Sequence, residues 1–367
     1  MVDLQGQYLR IKAEIDAAIQ DVLTSTAFIQ GPQVQEFAQQ LARYVDIPFV
    51  IPCANGTDAL QIAMMALDLK PGDEVVVPVH TYVATAEVIA LLGLTPVFVD
   101  VDPQTFNLDV QQLEGVMTDR TRAIVPVHLY GQCADMEPIL QVAEARGLYV
   151  IEDAAQALGA RYTFPTGETR QAGTMGVIGT TSFFPSKNLG CYGDGGALFT
   201  HDATLAGKMR MIANHGQKKK YHHDLVGVNS RLDTLQAAIL KVKLNYLDHY
   251  THRRNEVAAY YDRALAAVPG VTIPLRDPRS THVFHQYTIQ TAQRDALKEH
   301  LEQHDIPTMI YYPVPLHLQQ AYRREGAPAG SFPVTEHLSN TVLSLPIHTE
   351  MAPEDLDFIC STLKAFF

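Results

Sequence analysis

Residues 49–69 read FVIPCANGTDALQIAMMALDL. The apolar run Phe49–Pro52 has the length and composition of a buried strand. Thr57–Leu69 is apolar at helical spacing. Between them stands Asn55-Gly56-Thr57-Asp58, a set of residues that opens helices. The same alternation continues downstream. Glu74–Val79, Pro96–Val99, Ala123–Val127 and Tyr149–Ile151 read as further buried strands. Thr81–Leu92, Asp109–Val116 and Met136–Arg146 read as the helices between them, punctuated by Pro71-Gly72-Asp73 and Arg146-Gly147. Strand–helix alternation predicts an α/β fold with a mostly parallel sheet flanked by helices.

Upstream, Asp3–Leu23 has the pattern of an amphipathic helix, followed by a Gly31-Pro32 turn and a second helix over Val34–Tyr44. Downstream of Asp153 the pattern is irregular and glycine-rich as far as Gly196. Helices return at Ala203–Ala213 and from about Arg231 to Tyr261. Pro269-Gly270 and Pro274 mark a change of character, with strands expected near Phe284–Gln290 and Thr308–Tyr311. The expected division is a large unit over 1–249 and a smaller α/β unit over 250–367.

Composition narrows the function. The 367 residues are 47 % hydrophobic and 19 % charged, enough apolar material for a sizeable core. The formal charge of −12 argues against a general nucleic-acid binder, though not against a small anionic ligand. Cys53, Cys133, Cys191 and Cys360 lie far apart with no C-x-x-C pair, which fits free thiols in a reducing compartment. The first residues lack an apolar signal-type segment, and no stretch is long and apolar enough for a membrane span. A cytoplasmic protein with no membrane partner is expected.

Ligands of such sheets bind at the carboxyl ends of the strands. After the first strand, the Gly56-Thr57 helix start either cradles a phosphate or is a plain cap. After Tyr149–Ile151 comes Glu152-Asp153-Ala154-Ala155-Gln156, which places carboxylates where a cationic partner or proton would sit. Lys187 lies within Ser182-Phe183-Phe184-Pro185-Ser186-Lys187-Asn188-Leu189-Gly190. A lysine in an apolar loop is either snorkelling or desolvated, and a desolvated amine forms Schiff bases with carbonyls. Gly193-Asp194-Gly195-Gly196 lacks the dinucleotide spacing and leads into a strand, so no dinucleotide site is expected. His215, Lys218, Lys219, Lys220, His222 and His223 form a basic island, and with Lys208 and Arg210 the stretch 203–223 carries five positive charges and no acid. Such a run is either a solvated loop or a place for a dianion. The nearby histidines have no carboxylate or thiolate in ligand spacing, and no metal is expected.

Taken in order, the Gly-Thr helix start, E-D-A-A-Q, S-F-F-P-S-K-N-L-G, G-D-G-G-A and N-S-R-L-D-T-L-Q-A-A-I-L resemble the pyridoxal-phosphate-dependent nucleotide-sugar aminotransferases of the DegT/DnrJ/EryC1/StrS family. The resemblance extends from the N-terminal helix to Tyr311-Tyr312-Pro313-Val314-Pro315-Leu316-His317-Leu318-Gln319. It implies the aminotransferase fold type I, pyridoxal 5'-phosphate as cofactor, and a homodimer with shared sites. It implies that Lys187 carries the cofactor as a Schiff base and that Asp153 pairs with the pyridinium nitrogen. Gln156 reaches the ring oxygen region, and Tyr82 stacks on the ring. Gly56, Thr57 and Ser182 bind the phosphate, joined by Asn229 from a second copy. Arg231, His317, Tyr311 and Tyr312 face the sugar nucleotide. The stretch HGQKKKYHHDLVGVNSRLD, residues 215–233, is most similar to enzymes that aminate C3 of a sugar nucleotide.

The implied reaction moves an amino group from L-glutamate to UDP-2-acetamido-2-deoxy-3-oxo-glucuronate, for amino sugars of surface polysaccharide. A dTDP-3-oxo-6-deoxyhexose is the alternative substrate. A dehydratase using the same cofactor is disfavoured by the presence of Lys187, and a non-catalytic regulator by the lack of an appended binding module. Two positions depart from the family pattern: Leu158 stands where many relatives have His, and Tyr311-Tyr312-Pro313 where many have His-Tyr-Pro.

Overall fold

The computed structural model describes residues 1–322 and 327–367. Its central sheet has seven strands: β1 (Phe49–Cys53), β2 (Glu74–Pro78), β3 (Thr95–Val99), β4 (Thr121–Ile124), β5 (Tyr149–Asp153), β6 (Ile178–Ser182) and β7 (Gly196–Thr200). Their spatial order is β1-β7-β6-β5-β4-β2-β3. β7 is antiparallel to both its neighbours, β1 and β6. The pairs β5–β6, β4–β5, β2–β4 and β2–β3 are parallel.

Both faces of the sheet are covered, which is why its middle strands are apolar throughout rather than alternating. In β2, Val75 and Val77 pack on one face with the helices Gly56–Ala66, Ala84–Leu91 and Ala203–Ala213. Val76, between them, packs on the other with Ile139 and Ala143 of the helix Met136–Arg146. Ala123 and Ile124 of β4, and Ile151 and Val150 of β5, divide the same way. Period-two alternation of side chains thus builds two cores from one sheet. Gly147, left-handed at φ 63°, ends the helix Met136–Arg146 and turns the chain into β5.

The expected elements differ from the observed ones at six places. β6 was hidden in the irregular tract. Its residues, Ile178-Gly179-Thr180-Thr181-Ser182, carry only one large apolar side chain. Gly179 is required there, because a Cβ would stand 1.9 Å from the Gly173 carbonyl oxygen. Thr308–Tyr311 is not a strand and contributes one isolated bridge, Met309 to Ser344. The partner of Tyr287–Gln290 is instead Val342–Leu345, running antiparallel to it. That strand follows directly on the helix Pro333–Thr341, with no turn residue to announce it. The helical stretch from Arg231 breaks into Thr234–Leu244 and Leu247–Leu265, and the first helix breaks at Ile11 into Leu4–Arg10 and Lys12–Ser25. Asp109–Val116 holds a short 3-10 turn and a single helical turn.

The C-terminal part has its own core of Val257, Tyr261, Tyr287, Leu297, Leu343, Leu345, Ile359 and Leu363. Residue 250 lies within the helix Leu247–Leu265. Leu247 at its start packs with Phe37 and Leu41 of the large unit, and Val257 onward with the C-terminal core. Among the described residues, no helix is long and apolar enough to cross a membrane.

Candidate active site

The carboxyl edge of the sheet collects the residues that the sequence singles out. At the end of β1, Asn55 caps the helix Gly56–Ala66 by accepting from the Asp58 N–H at 2.8 Å. A helix start leaves further N–H groups without intrahelical partners. Here Gly56 meets the end of β6: a Cβ on it would stand 2.7 Å from Ser182 Cβ and 3.3 Å from Ser182 Oγ. Glycine permits this approach, and it brings the start of the helix beside a hydroxyl, a suitable cradle for an anion.

Asp153 ends β5 and is buried. Its Oδ2 accepts from the fully buried Thr85 Oγ1 at 2.9 Å, and its Oδ1 from the Ala155 N–H at 3.1 Å. The preceding residue, Glu152, faces the other side of the strand and is also fully buried. Its carboxylate accepts from the N–H groups of Gly173 at 2.8 Å, Met175 at 2.6 Å and Gly176 at 2.5 Å, and contacts His128 Nε2 at 2.8 Å. The Ala134 N–H donates to His128 Nδ1 at 3.0 Å, so the imidazole proton sits on Nε2 and points at Glu152. The His128 N–H also donates to the Asp153 carbonyl at 3.0 Å. A saturated buried carboxylate therefore stiffens the strand end from which Asp153 projects.

Lys187 follows β6 in a loop held from three sides. Its own N–H donates to the Phe184 carbonyl, Cys191 N–H to the Phe183 carbonyl, and Asn188 Nδ2 to the Val283 carbonyl at 2.9 Å. Burial lowers the Lys187 amine to about 8, against the opposing pull of the Asp153 charge. The loop so presents a lysine that gives up its proton more readily than an exposed one, next to a carboxylate.

Aromatic side chains wall this floor. Tyr82 is exposed, its ring 6.2 Å from that of Tyr312 and tilted by 42°. Gln156 Nε2 donates to the Tyr312 hydroxyl at 3.2 Å, and Gln156 Oε1 accepts from the Tyr130 N–H at 2.7 Å. His80 lies under the wall, lowered by burial to about 4 and therefore neutral.

A family model described as the DegT/DnrJ/EryC1/StrS aminotransferase family matches residues 9–364. The chain belongs to this family. Its relatives include the UDP-2-acetamido-2-deoxy-3-oxo-D-glucuronate aminotransferase of Pseudomonas aeruginosa, 48 % identical over 99 % of this chain and 98 % of the relative. They also include the dTDP-3-amino-3,4,6-trideoxy-alpha-D-glucose transaminase of Streptomyces venezuelae, 44 % identical over 94 % and 90 %. A solved structure of S. venezuelae DesV in complex with a ketimine intermediate matches with a TM-score of 0.96 at 42 % identity, covering 100 % of this chain and 97 % of that one.

This DegT/DnrJ/EryC1/StrS aminotransferase is a pyridoxal-phosphate-dependent enzyme acting on a sugar. The fold is the α/β arrangement of those aminotransferases. The residues present fit the cofactor. The Gly56 cradle, which a Cβ would fill, suits its phosphate. The buried Asp153 suits a protonated ring nitrogen, and the amine of Lys187 suits an aldehyde.

The remaining expected residues lie elsewhere in the aminotransferase. Arg231 is partly exposed and lines a cleft of about 1100 Å³ with Gly31, Val34, Arg210, Lys218 and Ser230; neither Lys187 nor Asp153 lines it. Asn229 is held by a backbone bridge to Asn214 beside the same cleft. His317 is buried, with Nε2 3.1 Å from Glu336 Oε1 and its ring against Phe332. The basic stretch 203–223 splits by setting. Lys208 pairs with Asp68 and Arg210 lies over the Phe49 ring, whereas Gln217–Lys219 forms an exposed two-stranded hairpin with His222–His223. Thr85, His80, His128 and Tyr130 were not among the expected site residues. Their one local signal is position: His80 and Thr85 follow β2, and His128 and Tyr130 follow β4, at the same sheet edge.

Proposed function

We propose that the chain transfers the amino group of L-glutamate to C3 of a UDP-linked 3-keto sugar, with UDP-2-acetamido-2-deoxy-3-oxo-glucuronate as substrate. The observation that carries this reading is the 48 % identity, over nearly the whole of both chains, to the P. aeruginosa relative named for that substrate. The product would serve amino-sugar synthesis for surface polysaccharide such as O-antigen, in the cytoplasm. A dTDP-3-oxo-6-deoxyhexose is the second reading, favoured by the 44 % identity to the S. venezuelae relative.

In this proposal Gly56, Thr57 and Ser182 hold the cofactor phosphate, and Tyr82 and Gln156 flank its ring. When bound, the cofactor supplies an electron sink for charge developing at the carbon that gains or loses the amine. Asp153 keeps a proton on the ring nitrogen, because a carboxylate at contact favours the cationic form. Thr85 and the Ala155 N–H fix that carboxylate's orientation. Lys187 Nζ binds the cofactor at rest. Once displaced, it takes a proton from the donor carbon and returns one to the sugar carbon, a task suited to an amine whose pKa is near 8.

Asn229 would serve the cofactor phosphate of a second copy, and Arg231 would face the sugar nucleotide. The planar guanidinium of Arg231 suits the sugar's carboxylate, and Tyr311, Tyr312 and His317 belong to the sugar side. The division into a cofactor unit, 1–249, and a C-terminal unit, 250–367, belongs to the same proposal. The test is to supply the holoenzyme and glutamate with UDP- and dTDP-linked 3-keto and 4-keto sugars. A mass shift for keto-to-amine exchange is expected on the UDP-3-keto uronate. Exchange only on a 4-keto sugar would overturn the C3 assignment.

A further inference from the structure

Every polar group of Tyr130 is engaged, and each partner comes from a different part of the site. Tyr130 is 2 % exposed and sits in the left-handed region at φ 57°, next to Gly131 at φ 110°. Its N–H donates to Gln156 Oε1 at 2.7 Å. Its carbonyl accepts from the Gln286 N–H at 3.2 Å. Its hydroxyl donates to the Tyr311 carbonyl and accepts from His80 Nε2, 3.1 Å away. Because that hydroxyl has a single proton, spent on Tyr311, His80 must carry its proton on Nε2. Gln286 in turn bonds the Tyr311 side chain.

Two chains of contacts therefore start at Tyr130 and end on adjacent residues. One runs from the N–H through the Gln156 amide to the Tyr312 hydroxyl at 3.2 Å. The N–H fixes which end of that amide faces which way, since only Nε2 can donate to Tyr312. The other runs from the hydroxyl to the Tyr311 carbonyl. Phe106 packs edge-on against the Tyr130 ring at 5.3 Å and closes its other side. The left-handed backbone is what lets one residue aim its N–H at the cofactor floor and its ring at the C-terminal segment. Such a conformation costs a non-glycine residue free energy that the surrounding bonds must offset.

We propose that Tyr130 is a positioning residue that holds the Tyr311–Tyr312 pair in register with Gln156 and thereby sets the affinity for the nucleotide sugar, leaving the amino donor unaffected. This rests on the reading that Tyr311 and Tyr312 face the sugar. Glutamate is small and reacts on the floor formed by Lys187 and Asp153, which Tyr130 does not touch. The sugar nucleotide needs the wall.

The test compares wild type with Tyr130→Phe as holoenzymes, using glutamate and the UDP-linked 3-keto uronate. The variant keeps the ring, the backbone N–H and the Phe106 contact, and loses only the hydroxyl. The expected result is a KM for the UDP-sugar raised about fivefold to tenfold, the effect of losing the hydroxyl's bond to the Tyr311 carbonyl. The glutamate half-reaction, followed by 2-oxoglutarate release, stays within about twofold. Hydrogen exchange is expected to quicken across residues 309–314 and to stay unchanged over β5 and β6. Equal losses in both half-reactions, or no change in either, would overturn the proposal. If Tyr130→Phe does not fold, His80→Phe removes the other partner of the same hydroxyl and is read by the same split. Absence of amination by the wild type on every UDP-sugar would count against the proposed substrate alone. Exchange over 309–314 in Tyr130→Phe would then still decide the positioning role.

Discussion

The floor under Lys187 and the hairpin 217–223 are both charged, and they are built in opposite ways. On the floor, Asp153 and Glu152 are buried and their oxygens accept from Thr85, Ala155, Gly173, Met175 and Gly176. Each charge there is costly unless every lone pair is met, so the surrounding backbone is committed to a single arrangement. In the hairpin, Lys218, Lys219 and Lys220 are exposed, and Lys220 has the Tyr221 ring 5.3 Å away. Water and salt can replace what these lysines do. On the proposed function, the difference separates chemistry from recognition: the floor would carry the reaction, and the periphery would tune what is brought to it.

The largest expected effect lies on the floor. Lys187→Ala should lower transamination by about ten-thousandfold or more, measured as 2-oxoglutarate release, with the fold intact by circular dichroism. Asp153→Asn should come next, at about a hundredfold in kcat with little change in either KM, because the carboxylate acts on charge that develops during reaction. Equal activity in either variant would break the division between floor and periphery.

Arg231→Ala tests the boundary between the two regions. A uronate substrate should lose about tenfold or more in kcat/KM, and its neutral 6-hydroxy analogue much less. Equal losses on both would remove the carboxylate role. The smallest effect belongs to the hairpin. Replacing Lys218, Lys219 and Lys220 together by Gln should raise the nucleotide-sugar KM by about threefold at low ionic strength and not at high. An unchanged KM at low salt would make the hairpin a solvated surface loop and sharpen the comparison further.

Protonation of Lys187 gives a prediction of sign. Burial lowers this amine to about 8, so its neutral form grows as pH rises through that value. The rate at which apoprotein captures pyridoxal phosphate should therefore increase with pH up to about 8 and level off above it. A rate that stays low until pH 10 would mean that the lysine is not desolvated.

Much of the floor is legible in the sequence because its parts are local. Gly56-Thr57 opens a helix, Asp153 ends an apolar strand, and Lys187 sits in a loop of apolar and turn residues. Their order along the chain is what carries the family resemblance. What the sequence does not show are contacts made across long separations. Thr85 reaches Asp153 over 68 positions, and Tyr130 reaches Tyr311 over 181. Strand β6 was invisible for a different reason: Gly179 answers to the Gly173 carbonyl facing it rather than to any strand preference. His317 is a similar case: its motif implies the sugar side, and its contacts with Glu336 and Phe332 are not readable from that motif.

On the proposed function, one lysine, Lys187, holds the cofactor. Borohydride reduction of the holoenzyme, followed by proteolysis and mass spectrometry, tests it most directly, since reduction turns a Schiff base into a stable bond at the lysine that formed it. A single pyridoxyl adduct on the peptide containing Lys187 is expected. An adduct on any other lysine, or none, would contradict it.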